Sequence, residues 1–204
     1  MTERSDVELM LAFQSGDEAA FSVLVERHRN AVLSLTFRYL GNRADAEDLA
    51  QEVFLRVFRS RARYRPEARF STWLYRVAAN ACLNEVRDRR SRPTHRAAAI
   101  HADEDGSPAP LPDARAEAPE RALERRELHE RVREAVEGLP ERQRLALLLN
   151  KFHGQGYEEL ARALEMSVPA VKSLLTRARE NVRRVLEPYL AAAAGEAASR
   201  RDSA

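Results

Sequence analysis

Between Ser91 and Glu120 the helical periodicity that runs through the rest of this chain stops, and that interruption limits the fold more than any other feature. Five of the nine prolines fall there (Pro93, Pro108, Pro110, Pro112 and Pro119), together with Asp103-Glu104-Asp105-Gly106-Ser107. Proline lacks the amide proton that helices and sheets use, and no apolar period survives across the stretch. The 204 residues therefore divide into a first helical domain over 1–92, a flexible proline-rich linker over 93–119, a second helical domain over 120–190 and a disordered tail over 191–204. About 27 linker residues reach roughly 90 Å when extended, so the two domains can work at separated sites.

Both halves read as all-α. Ser5 and Glu8 form a capping box ahead of Val7, Leu9, Met10, Leu11 and Phe13. A second helix runs from about Asp17 to Leu40 and stops at Gly41-Asn42. Asn42 or Asp45 caps the next, whose Ala46, Leu49, Ala50, Val53, Phe54, Val57 and Phe58 make a broad apolar face. Its first half is acidic and its second half basic, which suits the helix dipole. With a further helix from Phe70, residues 1–90 form a bundle of four or five helices.

In the second half, ERRELHERVREAVEGL stops at Leu139-Pro140, ERQRLALLLNKFHG follows, and a close pair of helices comes last. Ser167 is the N-cap of the second member of that pair, and Pro169 sits in its first turn, where it costs no hydrogen bond. Val171, Leu174, Leu175 and Ala178 face inward, leaving Lys172, Ser173, Thr176, Arg177 and Arg179 outside. This is a helix-turn-helix with its second helix shaped for the major groove. Paired helices at this spacing also occur in proteins that bind no DNA.

The total charge of +2 hides a strong segregation. From Arg61 to Arg92 there are nine arginines against three acids, net +6, whereas Ser91 to Glu120 carries net −3. On the helix that starts at Phe70, Leu74, Tyr75, Ala78, Ala79, Cys82 and Val86 share an apolar side. The opposite stripe holds Trp73, Arg76, Asn80, Asn84 and Arg87. Arginines neutralise phosphates, asparagines match base edges, and an aromatic ring lets an unpaired base stack. The basic loop before the helix, with Tyr64 and Phe70, suits a single strand. The other reading of Trp73 is a ring packed under a neighbouring loop.

Other chemistries have little to stand on. The five histidines are scattered, none pairs with the single Cys82 at a metal-ligand spacing, and Gly154-Gln155-Gly156 lacks the rest of either phosphate-loop fingerprint. No catalytic set, metal site or cofactor is expected. One cysteine fits a reducing compartment, and the charged N-terminus and the lack of any long apolar run point to a cytoplasmic protein with no membrane insertion.

DAEDLAQEVFLRVFR, then FSTWLYRVAANACLNEVR, then a linker, then LPERQRLALLL and YEELARALEMSVPAVKSLLTRARENVRR resemble the extracytoplasmic-function group of the bacterial sigma-70 family. The match spans nearly all of the chain except linker and tail, with three motifs in order. The resemblance implies that the first domain (region 2) grips the clamp of core RNA polymerase and reads and melts the minus-10 promoter element. It implies that the second (region 4) contacts the polymerase flap and reads the minus-35 element.

Carried over by position, Asp48, Gln51, Glu52, Leu55 and Arg56 would meet polymerase. Tyr64, Phe70, Trp73, Arg76, Asn80, Asn84 and Arg87 would handle the melted minus-10 strand. Lys172, Ser173, Thr176, Arg177 and Arg179 would read minus-35. Leu174 stands where the family often has an arginine. The resemblance further implies an anti-sigma partner, commonly tethered to the membrane. The competing reading is a stand-alone helix-turn-helix repressor or activator, which would bind duplex DNA without polymerase and would have no use for the Trp73 and Asn80 stripe.

Overall fold

The computed structural model describes the backbone of residues 4–91 and 119–202, with side chains through 90 and from 126 to 191. The linker expected over 93–119 lies, but for Pro119, outside the described residues. Every described element is helical: α1 Asp6–Gln14, α2 Glu18–Leu40, α3 Arg43–Ser60, a single 3-10 turn Arg61–Arg63, α4 Phe70–Ser91, α5 Pro119–Glu137, α6 Glu141–Phe152, α7 Tyr157–Ala163 and α8 Val168–Asp202.

The starts follow the capping residues. The Glu8 amide donates to Ser5 Oγ at 3.3 Å while the Ser5 amide donates to Glu8 Oε2 at 2.7 Å. Asp17 caps α2 and Asn42 caps α3, each accepting the amide three residues on. Gly41 ends α2 in the left-handed region at φ 76°, which glycine adopts without steric cost. Residues 191–202, expected to be a disordered tail, instead continue α8 through Asp202. Alanine costs least in a helix, so an alanine-rich end can extend one that is already nucleated.

In the first domain, α1 to α4 close around Met10, Phe13, Leu24, Leu35, Val53, Val57 and Leu74, all fully buried. Arg89 at the end of α4 reaches Asp45 of α3 and Glu85 of its own helix, both at 2.8 Å, fixing the angle between α3 and α4. In the second domain Leu145, Leu149, Leu160, Ala163, Val171 and Leu175 form the core of α6, α7 and α8.

The two domains, expected to be independent, are packed together and share one apolar cluster. α4 lies along α7, and α2 meets α6. The Tyr75 hydroxyl on α4 and His153 Nδ1 share a hydrogen bond of 3.1 Å. Burial, with the Arg38 charge adding to it, pushes the His153 imidazole down to about 4, so the ring is neutral at physiological pH. Arg38 lies 4.0 Å over the Phe152 ring. Arg144 donates to the Tyr39 carbonyl at 2.9 Å and to the Glu137 carbonyl, joining the ends of α2 and α5. Arg90 pairs with Glu141 at 2.8 Å, and Arg69 with Glu159 at 3.6 Å.

Candidate nucleic-acid and polymerase interfaces

Three exposed surfaces carry the expected residues. On α3, the core side holds Ala46, Leu49, Ala50, Val53 and Val57, so helical geometry turns Asp48, Gln51 and Leu55 outward together. Leu55 is 48% exposed, a large apolar side chain between polar neighbours with no core role. Glu52 and Arg56 pair along the helix at 2.8 Å, and Arg59 approaches Glu52 at 3.9 Å. These two charges therefore largely satisfy each other, which leaves Asp48, Gln51 and Leu55 as the open part of the surface.

On α4, Arg76, Asn80 and Arg87 are exposed and Asn84 is half-buried. The Arg87 guanidinium donates to Asn84 Oδ1 at 3.0 Å, so these two lie side by side. Trp73 is half-buried. Its ring meets Tyr64 edge-on at 5.1 Å and Phe70 at 5.9 Å. The structure thus joins the two readings of this tryptophan: one part of the indole packs against the loop, and the remainder stays open at the head of the basic stripe.

Tyr64 and Phe70 differ from expectation. They were assigned to a basic loop open to a base, but they are 1% and 2% exposed. The cause is long-range. Gln14 of α1 donates to the Arg61 and Tyr64 carbonyls at 2.6 and 3.0 Å, drawing the turn inward, and His28 of α2 packs 5.2 Å from the Phe70 ring. Both rings belong to the core and pack against Trp73. Arg63, Arg65 and Arg69 are the exposed part of that loop.

The third surface is the helix-turn-helix. α7 ends at Ala163, Glu165 takes the left-handed backbone at φ 53°, and Ser167 Oγ accepts the Ala170 amide at 3.4 Å to start α8. Val171, Leu175 and Ala178 are fully buried and Leu174 half-buried. Lys172, Ser173, Thr176, Arg177 and Arg179 are all exposed on the first three turns. Lys172 lies 5.6 Å over the Tyr157 ring, and Arg179 donates to Asn150 Oδ1 at 3.3 Å, so both are steered by neighbours.

Cys82 is wholly buried, and burial pushes its thiol up to about 12. It is a core residue with no thiolate at neutral pH. No group of three or more metal-binding side chains occurs among the described residues, and no described helix is long and apolar enough to cross a membrane. His95 and His101 lie outside the described residues.

A helical bundle with an amide and arginine stripe beside a half-open tryptophan, followed by a helix-turn-helix, defines a protein that reads DNA at two places. The sigma-70 region 2 model matches residues 24–92 and the sigma-70 region 4 model residues 129–182. The RNA polymerase sigma-H factor of Pseudomonas aeruginosa is 35% identical over 192 residues, covering 93% of this chain and 98% of that protein. The ECF RNA polymerase sigma-E factor of Escherichia coli is 34% identical over 187 residues, covering 91% and 96%. This chain belongs to the sigma-70 family, in its extracytoplasmic-function group.

Solved structures show the same fold. CnrH in complex with the cytosolic domain of CnrY matches with a TM-score of 0.64 at 24% identity, covering 91% of this chain and 99% of that one. The sigma factor RpoE in complex with the anti-sigma factor NepR from Bartonella quintana gives 0.59 at 19% identity, covering 82% and 96%.

Proposed function

We propose that this chain joins core RNA polymerase through the Asp48, Gln51 and Leu55 face of α3, melts and holds the minus-10 element on α4, and reads minus-35 with α8. It carries out no covalent step itself and works beside polymerase in the cytoplasm. The observation that carries this reading is the coexistence, on one chain, of a duplex-reading helix and a separate stripe built for an unpaired strand. A stand-alone repressor needs only the first. Run-off transcription with purified core polymerase tests it: promoter-dependent product is expected, and tight duplex binding without product would overturn it.

Within that division, Trp73 supplies the stacking surface, Arg76 and Arg87 neutralise phosphates, and Asn80 and Asn84 offer paired donors and acceptors to bases. The neighbouring Arg63, Arg65 and Arg69 extend the phosphate track. An anti-sigma factor is the expected antagonist, as in the complex of RpoE with the anti-sigma factor NepR.

Arg177 is exposed and makes no hydrogen bond or ion pair among the described residues, so it is free for DNA. The Arg177→Ala holoenzyme is expected to associate more weakly with promoter duplex while binding core polymerase normally. If the contact is to phosphate, the logarithmic salt slope falls by about 0.9. Duplex titration across a salt series measures both, and an unchanged affinity and slope would remove Arg177 from the reading surface.

A further inference from the structure

The basic stripe of α4 forms one wall of a cleft of about 320 Å3, and the first turn of α6 forms the other. Asn80, Leu83, Asn84, Arg87 and Arg90 line it from α4, Glu141 and Arg142 from α6. Three guanidiniums share this space with a single carboxylate, which leaves the cleft net +2. Arg90 pairs with Glu141 at 2.8 Å, but a guanidinium carries five donors, so its other edge stays open. Arg142 is exposed and makes no hydrogen bond or ion pair among the described residues. No packing or pairing role accounts for a third arginine here. Arg87 donates to Asn84 Oδ1 at 3.0 Å, which engages that amide's oxygen and leaves its two N–H donors available. Asn80, one turn earlier, makes no hydrogen bond among the described residues, so it offers donor and acceptor together. Leu83 is half-buried and supplies the apolar part of the wall.

We propose that this cleft is a binding site for a nucleoside diphosphate, with Arg87, Arg90 and Arg142 on the phosphates and the Asn80 amide on the edge of the base. The planar fork of arginine matches pairs of phosphate oxygens, and like charges gathered in a concavity are relieved by an anion between them. An asparagine side chain pairs a donor with an acceptor, the pattern that base edges present. Small-molecule sites start at about 300 Å3, so the cleft has room for one nucleotide and no more. The inference goes beyond the promoter reading, because Arg142 belongs to neither promoter surface. A nucleotide bound here would cover Asn80, Asn84 and Arg87, and so withdraw three of the residues assigned above to the minus-10 strand.

Isothermal titration of the full chain with GDP and with ADP, beside pyrophosphate and guanosine, tests the site. At least one diphosphate is expected to bind one-to-one, more weakly as salt rises, with pyrophosphate at least tenfold weaker and guanosine giving no heat. Arg142→Ala should weaken the nucleotide about tenfold, the loss of one charge-assisted contact. Arg142→Lys, which keeps the charge without the fork, should lose less, and Arg142→Glu should abolish binding. Arg162→Ala removes an exposed arginine of α7 that does not line the cleft, and should change nothing. Melting curves establish that each variant is folded, which the exposure of Arg142 leads one to expect. Absence of binding by both diphosphates would overturn the site, and so would an equal loss from Arg162→Ala, the mark of diffuse attraction. Pyrophosphate as tight as GDP would overturn the nucleotide assignment. The titration contains neither polymerase nor promoter, so its failure leaves the sigma reading intact, and failure of run-off transcription would leave the cleft to be decided by titration.

Discussion

Replacing Asp48 and Leu55 together by arginine is expected to weaken binding to core polymerase on the order of a hundredfold, with the domain still folded. Side chains that anchor an interface typically cost 2 kcal/mol or more when lost, and each 1.4 kcal/mol is a factor of ten. Leu55 has the marks of such an anchor: it is large, apolar, 48% exposed, and shares its face with Gln51 one turn before it and Asp48 two turns before it. Neither substitution disturbs the core, because Leu49, Val53 and Val57 point the other way. Glu52 and Arg56, already paired, should tolerate alanine far better. Pull-down on core polymerase with melting curves for each variant checks this. Retained binding by the double variant, or an equal loss from Glu52→Ala, would move the interface off this face.

How much of this was visible in the sequence depends on the range of the interaction. Caps act over three residues: the Ser5 box forms as read, and of the two residues offered for α3 it is Asn42 that accepts the Asp45 amide. The helix-turn-helix was equally legible, since Val171, Leu175 and Ala178 repeat at a spacing that places them on one face. Tyr64 and Phe70 were misplaced because their burial is decided by Gln14 and His28, which lie about 40 to 50 positions away. A basic loop with aromatic residues looks the same in sequence whether the rings turn in or out.

The domain junction was hidden for a related reason. Tyr75 belongs to an apolar face, and periodicity says that such a face is covered without saying by what. Its partner His153 is 78 positions away, and Arg144 reaches back 105 positions to Tyr39. Across the linker from Pro93 to Pro119 the sequence offered only a contour length, which permits separation and contact alike. The contact of α6 with α2 and α4 therefore becomes visible only once the chain is folded.

Trp73→Ala holoenzyme is expected to bind promoter duplex nearly as well as the parent and to open it poorly. Strand separation costs a few kcal/mol per unstacked step, and this must be offset by contacts made only afterwards. A base stacked on an aromatic ring recovers roughly 1–3 kcal/mol, so losing Trp73 should lower the open-complex yield about 5- to 150-fold. Asn80→Ala should act in the same direction with a smaller effect, as an exposed amide that supports no packing. The tryptophan also touches Tyr64 and Phe70, so some loss of thermal stability is expected from the alanine variant. Trp73→Tyr separates the two roles, keeping an aromatic face for stacking. Permanganate reactivity on duplex promoter reads opening, and the same template with a pre-melted bubble removes the need for it. Partial rescue of Trp73→Ala on the bubble supports the stacking role. An equal defect on duplex and bubble, matched by a large fall in melting temperature, would assign Trp73 to packing alone.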